Sequence, residues 1–185
     1  MGGSPAPGKD GFVVWIEGLP GSGKSTTSKR LAASLGRLGR ANEVLDGEEV
    51  RRTFFPELGF SRKDRETHAR RVSALADRFA GHGTAVIVAM ITPYETSRQA
   101  ARAVVRHPFV EVWLRCPMDV CRQRDPRGVY SNAPGHAVGR VTGVDDPFEE
   151  PLGPDLIVDT ARDPVETTAG RIIDHLAALG LVPAV

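Results

Sequence analysis

Long hydrophobic runs are missing from this 185-residue chain. No apolar stretch approaches the roughly 20 residues that a bilayer-spanning helix needs, so no membrane partner is expected. Excess charge is missing too: 24 basic residues face 23 acidic ones, a formal balance of +1 that gives no bulk attraction to nucleic acid. Cysteine is scarce. Cys116 and Cys121 flank Pro117 without metal-ligand spacing, and they read as two small buried thiols in a reducing cytoplasm. The histidines (His68, His82, His107, His136 and His175) show no metal spacing either. Lysine is rare as well, limited to Lys9, Lys24, Lys29 and Lys63, so a lysine in a functional loop carries more weight than usual. The first eleven residues, MGGSPAPGKDG, lack an apolar signal core and read as a disordered tail (1–11) ahead of one domain, 12–185.

What is present is alternation. FVVWIE (12–17), NEVLD (42–46), TAVIVAM (84–90), FVEVWL (109–114) and DLIVD (155–159) read as five strands. Between them lie helical spacings such as Leu31, Leu35 and Leu38, or Val72, Leu75, Ala76 and Phe79. Ser61 with Asp64 predicts the start of a helix over 61–80 that Gly81 stops, and Asp163-Pro164 predicts the start of the last helix. Strands alternating with helices predict an α/β fold, a five-stranded parallel sheet with helices on both faces. Residues 125–154 break the rhythm. They are rich in proline and glycine and read as an irregular lid.

GLPGSGKS, Gly18 to Ser25, fits G-x-x-x-x-G-K-[ST] between a strand and a helix. Gly18, Gly21 and Gly23 allow backbone N–H groups to turn inward around phosphate oxygens, with Leu19, Pro20 and Ser22 completing the turn. Lys24 would reach the β- and γ-phosphates, and the Ser25 hydroxyl would take a place on Mg²⁺; Thr26 follows in the helix. ATP and Mg²⁺ are therefore the expected ligands. No N-K-x-D element indicates guanine, and the 84–90 run ends without the aspartate of the common ATPase arrangement. A carboxylate is available instead in LDGEEVRR (45–52), where Asp46 ends the second strand and would lie beside the phosphate loop. It could hold magnesium through water or accept a proton from an attacking hydroxyl; its structural alternative is an N-cap for the following helix.

These motifs, together with LGFSRKDRETHARRV, ITPYETSRQAAR, CRQRDPRGVY, VTGVDDPFEEP and DLIVDT, keep an order and spacing that resembles the adenylylsulfate kinases from about Val13 to Thr160. The resemblance implies a phosphotransferase of sulfate assimilation. It would move a phosphoryl group from ATP to the 3′-hydroxyl of adenosine 5′-phosphosulfate (APS), giving ADP and the 3′-phosphorylated product. It implies catalytic roles for Lys24 and Asp46, and a place for Arg124 near the ATP base. On the acceptor side it implies contacts from Asp46, Glu48, Arg51, Phe60, Arg65, His68, Ile91, Thr92, Pro93, Tyr94, Glu95 and Val141. Arg51 and Arg65 would hold the phosphosulfate, and Phe60 would stack on adenine. A homodimer is also implied.

The departures from that family cluster on the acceptor side. Glu48 stands where the family usually has aspartate, His68 where it has asparagine, and Glu95 where it has a positive charge. Val141 replaces the phenylalanine expected as the second wall around adenine, and Tyr130-Ser131-Asn132-Ala133-Pro134 lacks the usual basic residues. A base stacked on an aromatic is worth roughly 1–3 kcal/mol, so the loss bears on acceptor choice. Two further readings therefore accompany the first: the same reaction on another 5′-linked nucleotide, for example a cytidine nucleotide, and a non-catalytic nucleotide-binding regulator.

Overall fold

The computed structural model describes residues 10–125, 128–130 and 141–184. Among the described residues eleven elements follow one another, with helices between all five strands as the sequence predicts. They run β1 (Phe12–Glu17), α1 (Lys24–Arg37), β2 (Asn42–Asp46), α2 (Gly47–Phe54), α3 (Arg62–Ala80) and β3 (Ala85–Ala89), then α4 (Glu95–Val104), β4 (Phe109–Arg115), α5 (Met118–Arg124), β5 (Leu156–Asp159) and α6 (Val165–Ala178). The five strands form one parallel sheet in the order β2-β3-β1-β4-β5.

Both faces of the central strands are covered, which is why β1 and β3 are apolar at almost every position and do not alternate. Phe12, Val14 and Ile16 pack toward Leu31 and Leu35 of α1 and Ile172 and Leu176 of α6. Val13 and Trp15 face the other way, against Val72 and Ala76 of α3 and Ala101 of α4. Glu17, next in that alternation, is the one acid within the apolar strand β1, and it is fully buried.

Helix starts follow local chemistry. The Ser61 hydroxyl accepts from the Asp64 amide at the N-terminus of α3, and Gly81 caps its end. The chain leaves β1 toward β2 on one side and β4 lies on the other, so the crevice above β1 is a topological switch point. The phosphate loop, the end of β2 and the loop after β3 all open there. Both cysteines are buried and free. Among the described residues no helix is long and apolar enough to cross a membrane. The sequence reading of residues 1–9, and much of that of 125–154, concerns positions outside the described residues.

Candidate active site

The Gly18–Ser25 loop closes into the N-terminus of α1 through residues in left-handed conformations. Gly21 has φ 79°, and a Cβ there would lie 2.6 Å from the Cys121 carbonyl oxygen, so both backbone and space require glycine. Lys24 Nζ donates to the carbonyls of Gly18 at 2.9 Å and Leu19 at 2.7 Å, which holds the ammonium over the loop that would receive phosphates. The loop is braced from outside. Thr160 Oγ1 donates to the Ser22 carbonyl at 3.0 Å, Arg124 Nη2 donates to the Thr160 carbonyl at 2.8 Å, and the Tyr130 hydroxyl donates to the Pro20 carbonyl at 2.8 Å. Burial raises the Tyr130 phenol above its ordinary range, so it remains a donor. Arg124 thus braces the phosphate loop through Thr160, which the sequence reading did not single out.

Asp46 is the N-cap weighed from the sequence, and it also reaches the phosphate loop. Its Oδ1 accepts from the amides of Glu48 at 3.0 Å and Glu49 at 3.4 Å and caps α2, while Oδ2 accepts from Ser25 Oγ at 2.7 Å. The end of β2 therefore meets the end of the phosphate loop, two strands away, through one carboxylate. A serine hydroxyl next to a carboxylate is a hard-oxygen pair of the kind Mg²⁺ prefers, so the residues present fit the ion. Among the described residues no group of three or more His, Cys, Asp or Glu side chains could hold a metal by itself. Phosphate oxygens and water would have to complete any coordination.

Arg51, Phe60, Arg65 and His68 come together across α2 and α3. The Arg51 and Arg65 guanidiniums lie 5.1 and 5.5 Å from the centre of the Phe60 ring. Arg51 Nη1 donates to the Gly59 carbonyl at 2.6 Å, and Arg65 Nε donates to the Phe60 carbonyl at 3.0 Å. Burial chiefly, and then the neighbouring Arg65, bring Arg51 below the usual guanidinium range, and the two cations flank one ring. Such a pair favours a ligand rich in anionic oxygens.

Arg51 Nη2 lies 2.8 Å from His68 Nδ1. A guanidinium has only donors, so Nδ1 must be the acceptor and the proton sits on Nε2. Burial, then the charges of Arg51 and Arg71, push the His68 imidazole down to about 3 and keep it neutral. Glu48 is exposed at the start of α2, and Val141 is half-buried in a turn whose Asp146 pairs with Arg65 at 3.9 Å.

The loop after β3 is tied down from below. Thr92 Oγ1 accepts from the Trp15 indole at 3.0 Å, and the Thr92 carbonyl accepts from Arg98 Nη1 at 2.8 Å. The buried Thr92 hydroxyl therefore faces the sheet. Tyr94 lies beneath Arg62, 4.5 Å from ring centre to guanidinium, and Ile91 and Pro93 complete the loop.

Glu95, expected as an acceptor contact, is engaged within the protein. Its carboxylate accepts from Arg98 Nε at 3.0 Å, Gln99 at 3.1 Å and the Leu152 amide at 3.5 Å. Partial burial pushes the Glu95 carboxyl up, but the Arg98 bond and charge outweigh it and hold the group below the usual carboxylate range. The reason for these bonds is local: position 95 is three residues before a buried arginine on the same helix.

Arg98 also lies 3.7 Å from Glu17 and 4.0 Å from Glu111, and Arg102 joins Glu111 to Asp155. Glu17 makes no hydrogen bond through either carboxyl oxygen. Burial pushes its carboxyl up from 4.5 to about 10 despite Arg98, with Glu111 adding to the rise. That direction favours an uncharged acid at the base of the phosphate loop at neutral pH. An acid inside the apolar run FVVWIE was the available sequence signal for this cluster.

A phosphate loop at a switch point, with a carboxylate from the neighbouring strand end on its serine, defines a P-loop kinase fold and a phosphotransferase acting on a hydroxyl group. The adenylylsulphate kinase family model matches residues 10–159, and the chain belongs to that family. It is 42% identical to the adenylyl-sulfate kinase of Paraburkholderia xenovorans over 172 residues, 93% of this chain and 96% of the relative. It is likewise 42% identical to that of Myxococcus xanthus, over 94% of this chain and 95% of the relative. Among solved structures, the Mycobacterium tuberculosis APS kinase CysC, determined in complex with AMPPNP and APS, superposes with a TM-score of 0.86. That match has 35% identity and covers 90% of this chain and 98% of the other.

Proposed function

We propose that this chain transfers the γ-phosphoryl group of ATP to the 3′-hydroxyl of APS, with Mg²⁺. The observation that carries the reading is the 2.7 Å contact between Ser25 and Asp46, which puts a carboxylate from the acceptor half on the donor loop. Loop amides and Lys24 would hold the β- and γ-phosphates, and Lys24 would stabilise charge developing on the transferred group. Asp46 would orient the acceptor hydroxyl and take its proton. Arg51 and Arg65 would hold the phosphosulfate, with Phe60 beside the base. Mg²⁺, held by Ser25, phosphates and water, would supply charge neutralisation at the phosphates.

Val141 favours one alternative, a 5′-linked nucleotide that needs less aromatic wall than adenine, such as a cytidine nucleotide. A single assay separates the readings: ADP release, followed with APS and then with a panel of other 5′-linked nucleotides. Turnover with APS supports the first reading. Intact ATP binding with turnover only on another nucleotide selects the second, and no turnover on any leaves nucleotide binding without catalysis. The homodimer expected from the family is a proposal of the same standing. A relative from Thiobacillus denitrificans, 29% identical with a TM-score of 0.74, is described as hexameric, and sedimentation of this chain would decide its own state.

A further inference from the structure

Arg98 is the hub of the network below the acceptor loop, and none of the roles above uses it. It is 1% exposed on α4. Its guanidinium donates in three directions: Nη1 to the Thr92 carbonyl at 2.8 Å, Nη2 to the Glu149 carbonyl at 2.8 Å, and Nε to Glu95 Oε2 at 3.0 Å. Glu149 in turn fastens the same loop, its amide donating to the Pro93 carbonyl at 2.8 Å and its Oε2 accepting from the Glu95 amide at 2.7 Å. Thr92 is the one non-glycine among the described residues with positive φ, 43°. A β-branched residue avoids that region unless its surroundings impose it. Two anchors do so here, the Trp15 indole on its hydroxyl and Arg98 on its carbonyl.

We propose that Arg98 is a positioning residue for the acceptor: it pins Thr92 in the left-handed turn that shapes residues 92–94, and Glu95 is its counter-ion rather than a substrate contact. The inference rests on reading 92–94 as a wall of the acceptor pocket. Small displacements of a positioning group lower reactivity steeply, so an acceptor-selective defect follows when the anchor is weakened.

Arg98→Lys tests it, because lysine keeps the charge but cannot reproduce a three-way planar fork. The KM for APS is expected to rise about tenfold or more, with the KM for ATP held within about twofold. The Trp15 indole N–H resonance, assigned with a Trp113→Phe control, is expected to shift in the substrate-free protein. Adding Thr92→Gly to Arg98→Lys is expected to recover part of the APS KM, since glycine takes positive φ without being held there. Equal rises in both KM values, an unmoved indole resonance, or no recovery with glycine would overturn the proposal.

Should Arg98→Lys fail to fold, Thr92→Gly and Thr92→Ala are compared with Arg98 intact. Glycine should keep the lower APS KM, and the reverse order counts against the turn. If the parent protein does not phosphorylate APS at all, the substrate reading fails, while the indole shift still decides the positioning role.

Discussion

Replacing Glu17 with glutamine removes one ionisable group from the base of the active site and changes almost nothing in shape. The structure has this carboxyl fully buried, without a hydrogen bond, and raised from 4.5 to about 10 by burial. Between those two values the folded protein keeps a proton that the unfolded chain releases. Raising the pH therefore favours the unfolded state, and stability falls by about 1.4 kcal/mol for each pH unit from this group alone. By about pH 7.5 the accumulated loss is on the order of 4 kcal/mol, an upper bound because buried sites relax as they ionise. Glutamine does not titrate and carries none of this dependence. Glu17→Gln should match the parent near pH 4.5, where both side chains are neutral, and become progressively more stable than it as the pH rises.

The assay is urea unfolding of both proteins at a series of values from about pH 5 to about pH 9, with the difference in unfolding free energy plotted against pH. Subtracting one protein from the other cancels the carboxylates and histidines they share. The competing possibility is concrete, because Arg98 lies 3.7 Å away and an ionised Glu17 would pair with it. In that case folded and unfolded chains would both be ionised above about pH 5, the difference between parent and variant would stay flat across the series, and that flat line would refute the neutral-acid argument. The structure favours the neutral form because Arg98 already has Glu95 at 2.9 Å and Glu111 at 4.0 Å, so a third buried carboxylate would add repulsion without a free cation.

Three further outcomes are expected. Lys24→Ala should lower phosphoryl transfer by about 10²-fold or more, and a near-normal rate in the ADP-release assay would remove the residue from the transition state. Asp46→Asn should retain ATP affinity, measured by equilibrium titration, yet lose most turnover, because the amide oxygen can still cap α2 and the amide N–H can donate to Ser25 Oγ, but the amide cannot take a proton. His68→Asn should preserve the KM for the acceptor, since its amide oxygen can accept from Arg51 as Nδ1 does, whereas His68→Leu should raise it by about tenfold. With the imidazole held down to about 3, the parent and His68→Asn should also share one pH profile across neutrality, and a profile that separates near pH 6 to 7 would contradict a neutral histidine.

The strands were legible because both faces of a parallel sheet are covered, which leaves runs such as FVVWIE and AVIVA with no solvent-facing polar residue to blur them. The phosphate loop was legible because each glycine answers a backbone or space requirement that can be named in advance. Asp46 was placed at the right strand end, and its N-cap role was weighed there, but the contact of its second oxygen with Ser25 was not named. What stayed hidden depends on segments far apart in sequence. Glu149 reaches the 93–95 loop across more than fifty residues, and Thr160 braces Ser22 across 138. No local pattern encodes those meetings. Glu95 was different, because its partner Arg98 stood three residues away in the same quoted stretch and a helix after Tyr94 would have paired them.

That pairing bears on the choice of acceptor. Read along the chain, His68, Glu95 and Val141 look like three independent departures from a site built for APS. In three dimensions they differ in kind. His68 offers Arg51 a neutral acceptor, as an asparagine would, so the charge of Arg51 is left available for the ligand. Glu95 has its charge compensated internally by Arg98 and takes nothing from the positive field of Arg51 and Arg65. On the proposed reading of the site, only Val141 would alter what a bound base touches. A missing ring wall weakens stacking by roughly 1–3 kcal/mol, which lowers affinity without reversing the sense of the site. The two guanidiniums beside Phe60 still ask for an acceptor with a strongly anionic tail. Val141→Phe is therefore the substitution that should tighten APS binding, and a less anionic nucleotide that bound better than APS before the change would show that the arginine pair does not select the substrate.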